Sequence, residues 1–109
     1  MENDKIIIKE RNKANLVPID EITHIVCSSY MCQIYIISGS CINVSKLLKE
    51  FELELAEVNF LRINRCTLVN LRYINTIKFG KNPTITLCNN LNFKISRRKL
   101  HFISELLKK

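Results

Sequence analysis

At 109 residues the chain has the length of one domain, 1–109, and can bury a single modest core. Its 47% hydrophobic and 25% charged content is that of a folded globular protein, only two Gly and two Pro exclude a low-complexity chain, and no apolar run approaches the roughly 18 residues of a membrane span. The net charge of +7 is segregated: the ten acids fall at or before Glu57 or at Glu105, while residues 58–104 hold nine Lys and Arg and no acid. Interspersed charge would serve solubility better, so an acid-free basic segment points to a polyanion such as nucleic acid.

In chain order, "KIIIKE" (5–10) reads as a strand and "RNKAN" as a polar turn. "LVPIDEITHIVCS" reads as a continuing strand that Pro18 confines to an edge or a strand start. "QIYIIS" is the next strand, and Gly39 and Ser40 turn the chain into "CINV". Ser45 then stands where a helix cap would, ahead of Leu47, Leu48, Phe51 and Leu55 at helical spacing. Leu53 widens that stripe, and Lys46, Lys49, Glu50, Glu54 and Glu57 fill the remaining faces. From Asn59 the period returns to two, with "CTLVNL" and "YINTIKF" as strands and "GKNP" as a loop. "TITL" and "NFKI" form a hairpin in which Asn89 and Asn90 can take positive φ. Ser96 caps a last helix whose apolar face is Leu100, Ile103 and Leu107, flanked by Phe102 and Leu106, with Lys108 and Lys109 at its negative end. The expected fold class is α+β and β-rich, with antiparallel strands, one internal helix and one C-terminal helix.

The chemistry-bearing residues form no catalytic set. Cys27, Cys32, Cys41, Cys66 and Cys88 include no CxxC pair, and His24 and His101 stand apart, so no metal or cofactor is expected and the thiols are expected to be reduced and mostly buried. The only glycines are Gly39 and Gly80, so there is no phosphate-cradling loop, and no enzyme is expected. The first residues are too charged for a signal peptide, which predicts a cytoplasmic protein without membrane insertion. What remains is three polar and basic clusters at strand ends: "SSYMCQ" (28–33), "RINRCT" (62–67) and "SRRK" (96–99). Arg62, Arg65 and Arg72 have no acid nearby in sequence to pair with. Arginine forks suit guanine edges, Gln or Asn suit adenine, and a helix start at Ser96 suits phosphate.

"FLRINRCTLVNLRYINTI" followed by "FKISRRKL" resembles the LytTR DNA-binding domain, a family of bacterial transcription regulators. "VPIDEITHIVCSS" and "VSKLLKEFELEL" are similar to that family's earlier strand and helix, so the likeness runs from about Ile6 to Leu107. The resemblance implies an elongated fold of stacked antiparallel sheets whose loops enter successive major grooves of double-stranded DNA. It implies base contacts from Gln33, Arg65 and Arg98, with Ser29, Tyr30, Arg62, Asn64, Cys66, Ser96, Arg97 and Lys99 near the backbone or supporting. It also implies direct-repeat sites, a chain monomeric when free and paired on DNA, and control by a receiver domain or a separate regulatory protein. The chain departs from the family at Asn64, often His, at Cys66, usually Ser, and at Cys27, often Glu. The competing expectation is a protein-interaction module using the acidic first helix and an exposed sheet edge.

Overall fold

Among the described residues, alternation of buried and exposed positions, the period of a pleated strand, sorts ten strands into three antiparallel sheets. The computed structural model describes residues 4–56 and 58–108, so Glu57 and Lys109, assigned above to helix faces and ends, lie outside it. Strands β1 (Lys5–Lys9) and β2 (Ala14–Pro18) pair as a hairpin. The central sheet has the order β5 (Cys41–Ser45), β4 (Met31–Ile36), β3 (Ile22–Ser28), β7 (Thr67–Asn70), β6 (Phe60–Asn64). The third sheet has the order β10 (Asn92–Lys94), β9 (Thr84–Leu87), β8 (Ile74–Lys78). The helices are α1 (Leu48–Glu54) and α2 (Arg97–Leu106), and the molecule is elongated, 45 × 31 × 25 Å.

The central sheet separates two cores. Adjacent residues of one strand face opposite sides, so Leu68 enters one core and Val69 the other. The first core joins Ile6 and Ile8 of β1, Ile25 and Ile34 of the central sheet, Phe51 of α1 and Leu55 just after that helix. The second joins Leu61 and Ile63 of β6, Ile85 and Leu87 of β9, and Ile103 of α2. Fully burying a side chain such as Phe51 contributes about 1.5–3 kcal/mol.

Several expectations are corrected. "LVPIDEITHIVCS" is broken by a 3₁₀ turn at Ile19–Glu21, and "CTLVNL" by another at Leu71–Tyr73. At the second break the Asn70 side chain accepts from the Arg72 amide at 2.9 Å, a local bond that competes with the ladder. Ser45 ends β5 rather than capping α1; the Glu50 carboxylate instead accepts from the Leu47 amide at 3.2 Å. Leu47 and Leu53 are exposed, because a helix of seven residues buries only the narrow stripe of Leu48 and Phe51, continued by Leu55 at its C-cap. Leu107 is likewise exposed, since α2 has ended and only Ile103 is fully covered. Ser96 does cap α2, accepting from the Lys99 amide at 3.3 Å. Asn90 has φ of 70°, as the hairpin required, while Asn89 stays at negative φ and accepts from the Leu91 amide.

The cysteines also differ from expectation. Cys27 and Cys32 oppose one another across β3 and β4, one register step inside the turn, and are joined as a disulfide. Cys41, Cys66 and Cys88 are free and exposed, since they fall at a strand start and in two turns where no layer covers them. His24 is buried: its ring stacks on Tyr35 at 4.4 Å and tilts against Phe93 at 5.0 Å. The Thr23 hydroxyl donates its one proton to the Tyr35 carbonyl, so His24 Nδ1 carries the hydrogen and donates to Thr23 Oγ1 at 2.9 Å. Burial lowers the His24 pKa from 6.5 to about 4, so the ring is neutral.

Candidate nucleic-acid interface

The β6–β7 connection is a two-residue turn, Arg65 and Cys66, between the paired residues Asn64 and Thr67. Its backbone is engaged from several sides. Asn64 Oδ1 accepts from the Cys66 amide at 2.9 Å, and the Cys66 carbonyl accepts from the Cys27 amide at 2.9 Å. Arg62 donates from Nε to the Asn64 carbonyl at 3.3 Å and from one terminal nitrogen to the Arg65 carbonyl at 2.7 Å. Its other terminal nitrogen meets Glu52 Oε1 at 3.0 Å. The expectation of an unpaired Arg62 is therefore corrected. Its partner comes from α1, which precedes it in sequence but packs beside β6. Glu52 is the functional neighbour that sequence reasoning missed, because helical spacing alone assigns it to solvent.

The turn is tied to the start of α2. Asn64 Nδ2 donates to the Lys94 carbonyl at 2.7 Å, and the Ser96 amide donates to the Ile63 carbonyl at 2.9 Å. An open cleft of about 370 Å³ is consequently lined by Arg62, Asn64, Arg65, Ser96, Arg98 and Lys99, with Glu52 the single acid among the described residues there. A second cleft of about 570 Å³ shares Arg62 and Arg65 and adds Cys66, Lys49 and Ser29. Ser29, at φ of 55°, and Tyr30 form the two-residue tip of the β3–β4 hairpin. Eight of the eleven expected site residues therefore line the two clefts, six of them the first and Ser29 and Cys66 the second, while Gln33, Tyr30 and Arg97 line neither. Gln33 lies within β4 rather than in the loop, exposed between Val26 and Asn43, and accepts from the Tyr35 hydroxyl at 3.1 Å.

The cations here are available. Arg65, Arg97 and Arg98 are exposed, and no acid bonds them among the described residues. At the N-terminus of α2, Ser96 satisfies the Lys99 amide, leaving the amides of Arg97 and Arg98 that no intrahelical carbonyl can reach. Such an end favours an anion. The basic surface continues across the third sheet, where Lys78, Thr84 and Lys94 stand in register beside Asn64. Among the described residues no three His, Cys, Asp or Glu side chains gather as metal ligands, and no helix is long and apolar enough to cross a membrane.

Residues 12–108 match the LytTr DNA-binding domain family. A sensory transduction protein LytR from Staphylococcus saprophyticus is 34% identical over 65 residues, 58% of this chain, and the match spans only 26% of that relative. A LytTr DNA-binding domain from Bacillus cereus superposes with a TM-score of 0.81, covering 98% of this chain and 99% of its own, at 17% identity. At that identity the structural likeness establishes the fold, and the stacked antiparallel sheets expected from sequence are present. The match over 12–108 establishes more: this chain belongs to the LytTr DNA-binding domain family.

Proposed function

We propose that the chain binds double-stranded DNA sequence-specifically as part of a bacterial transcription regulator, in the cytoplasm, through strand-end loops that enter successive major grooves. The observation that carries this reading is the convergence of the β6–β7 turn and the start of α2 on one cleft whose exposed arginines, Arg65 and Arg98, are bonded to no acid among the described residues. In this reading Arg65 and Arg98 read bases, and Gln33 does so from its exposed place on β4. Ser29, Tyr30, Cys66, Ser96, Arg97 and Lys99 contact the phosphate backbone or support those that do. The competing interaction-module reading loses support because Glu52 and Glu54 of the acidic helix are engaged with Arg62 and Lys46.

A single module of this size has limited contact area, so two copies on direct repeats about one helical turn (~10 bp) apart bind far more tightly than one. Control comes from a receiver domain or a separate regulatory protein, a reading supported by the sensory transduction protein among the relatives. Selection from a random duplex pool tests the whole proposal. The expected result is one enriched motif, recovered most strongly as a repeat. Recovery of no motif, with only salt-insensitive retention, would overturn the DNA reading.

A further inference from the structure

Each guanidinium nitrogen of Arg62 already donates one bond: Nε to the Asn64 carbonyl, one terminal nitrogen to the Arg65 carbonyl at 2.7 Å, the other to Glu52 at 3.0 Å. The side chain is only 24% exposed, whereas the neighbouring Arg65 is exposed and, among the described residues, bonded to no acid. From this we infer that Arg62 is not a phosphate ligand but a positioning residue. Anchored by Glu52, it holds the two-residue turn in the one conformation that presents Arg65. The inference rests on the DNA reading and deepens it.

A planar fork with fixed donors can bridge two successive carbonyls and a carboxylate at once, which a lysine ammonium on a flexible stem cannot reproduce. With those carbonyls tied, the turn loses little freedom on binding, so affinity for the correct site is not spent on ordering it. Glu52 has a second effect. By satisfying the guanidinium it keeps Arg62 from seeking phosphates, which attract cations on any sequence. The network therefore sharpens discrimination rather than adding attraction.

The test compares two duplexes: the one the unaltered chain enriches from a random pool, and a scrambled duplex of equal composition. The variants are Arg62→Lys, Arg62→Met, Glu52→Ala and the Arg62→Met/Glu52→Ala double, each checked for cooperative melting. For a positioning role, Arg62→Lys and Arg62→Met both lower the ratio of specific to scrambled affinity, by about tenfold. The salt slope is unchanged in each, although one keeps the charge and the other removes it. Glu52→Ala raises affinity for the scrambled duplex and lowers the ratio, but lowers it no further when Arg62 is already Met, as coupled residues require. Hydrogen exchange at the Cys66 amide, which is bonded to Asn64 Oδ1, accelerates in Arg62→Lys.

A phosphate ligand gives the opposite pattern. Arg62→Lys would then keep the ratio, and Arg62→Met would shallow the slope by about one with the ratio intact. That result overturns the inference and leaves the DNA reading standing. If Arg62→Met fails to fold, Arg62→Lys and Glu52→Ala still decide by the ratio. If the unaltered chain enriches no duplex, the DNA reading falls and this inference falls with it.

Discussion

At the scale of single residues, the bonds already made separate cations that are free from cations that are not. Arg65 and Arg98 share the cleft beside the α2 N-terminus, and among the described residues neither is bonded to an acid. A guanidinium fork suits a guanine edge, so Arg65→Ala or Arg98→Ala should cost about 1–3 kcal/mol on the selected site and relax preference at one base position. Lys99 is a point charge in the same cleft, and Lys99→Ala should weaken selected and scrambled duplexes alike. Fluorescence anisotropy on both duplexes, with melting temperatures alongside, makes the comparison. Equal loss on both duplexes for all three variants would mean that none of them reads a base. A fall in melting temperature with the affinity ratio unchanged would mean that the Arg65 stem only covers apolar surface.

At the scale of elements, the question becomes what ends each strand. Asn70 closes β7 by donating from Nδ2 to the Ile22 carbonyl at 2.9 Å while its Oδ1 accepts from the Arg72 amide. The residue is buried, so Asn70→Ala strands a carbonyl and an amide and should destabilise the fold by about 1–3 kcal/mol. Denaturant unfolding reads this directly; a loss below a few tenths of a kcal/mol would show that water replaces the side chain. The same residue shows how far the sequence could be read. Strand periodicity exposed most strands and the Ser96 cap of α2, because both are local patterns. It did not expose the 3₁₀ breaks, since side-chain bonds such as Asn70 to Arg72 leave the apolar rhythm intact. It started the next strand at Gln33, whereas pairing with Val26 and Asn43 places Gln33 inside β4, which begins two residues earlier at Met31. It left Arg62 unpaired because its partner, Glu52, sits ten residues earlier on a helix that only tertiary packing brings alongside. The candidate cleft was legible as three clusters, but their convergence depends on the Asn64 to Lys94 and Ser96 to Ile63 bonds, which are non-local.

At the scale of the whole molecule, stacking buries His24 between the central and third sheets, and it also sets where charge can act. The His24 pKa falls from 6.5 to about 4 on folding, so between those values the unfolded chain binds the extra proton. Stability is therefore full above pH 6.5 and is lost as pH falls through this window, by about 3 kcal/mol at most. His24→Phe keeps the stacked ring, leaves Thr23 bonded to the Tyr35 carbonyl, and should flatten stability against pH over that range. An unchanged slope would assign the loss to other groups. The direction of β7 sorts the cations by the end of the molecule they occupy. Of the nine cations in residues 58–104, Arg62 is held by Glu52, and Arg72 lies beyond β7, about 13 Å of strand away from the Arg65 turn. Seven remain: Arg65, Lys78, Lys81, Lys94, Arg97, Arg98 and Lys99. If about five of them meet phosphates, log K against log salt should slope at roughly −4 to −5. Arg72→Gln should leave that slope unaltered, because its side chain is at the wrong end, whereas Lys99→Gln should reduce its magnitude by about 0.9. Titrations from low to moderate salt on the selected duplex distinguish the two variants. Equal reductions would mean that the basic segment attracts DNA as diffuse charge, without the oriented end that the turn and the α2 N-terminus build.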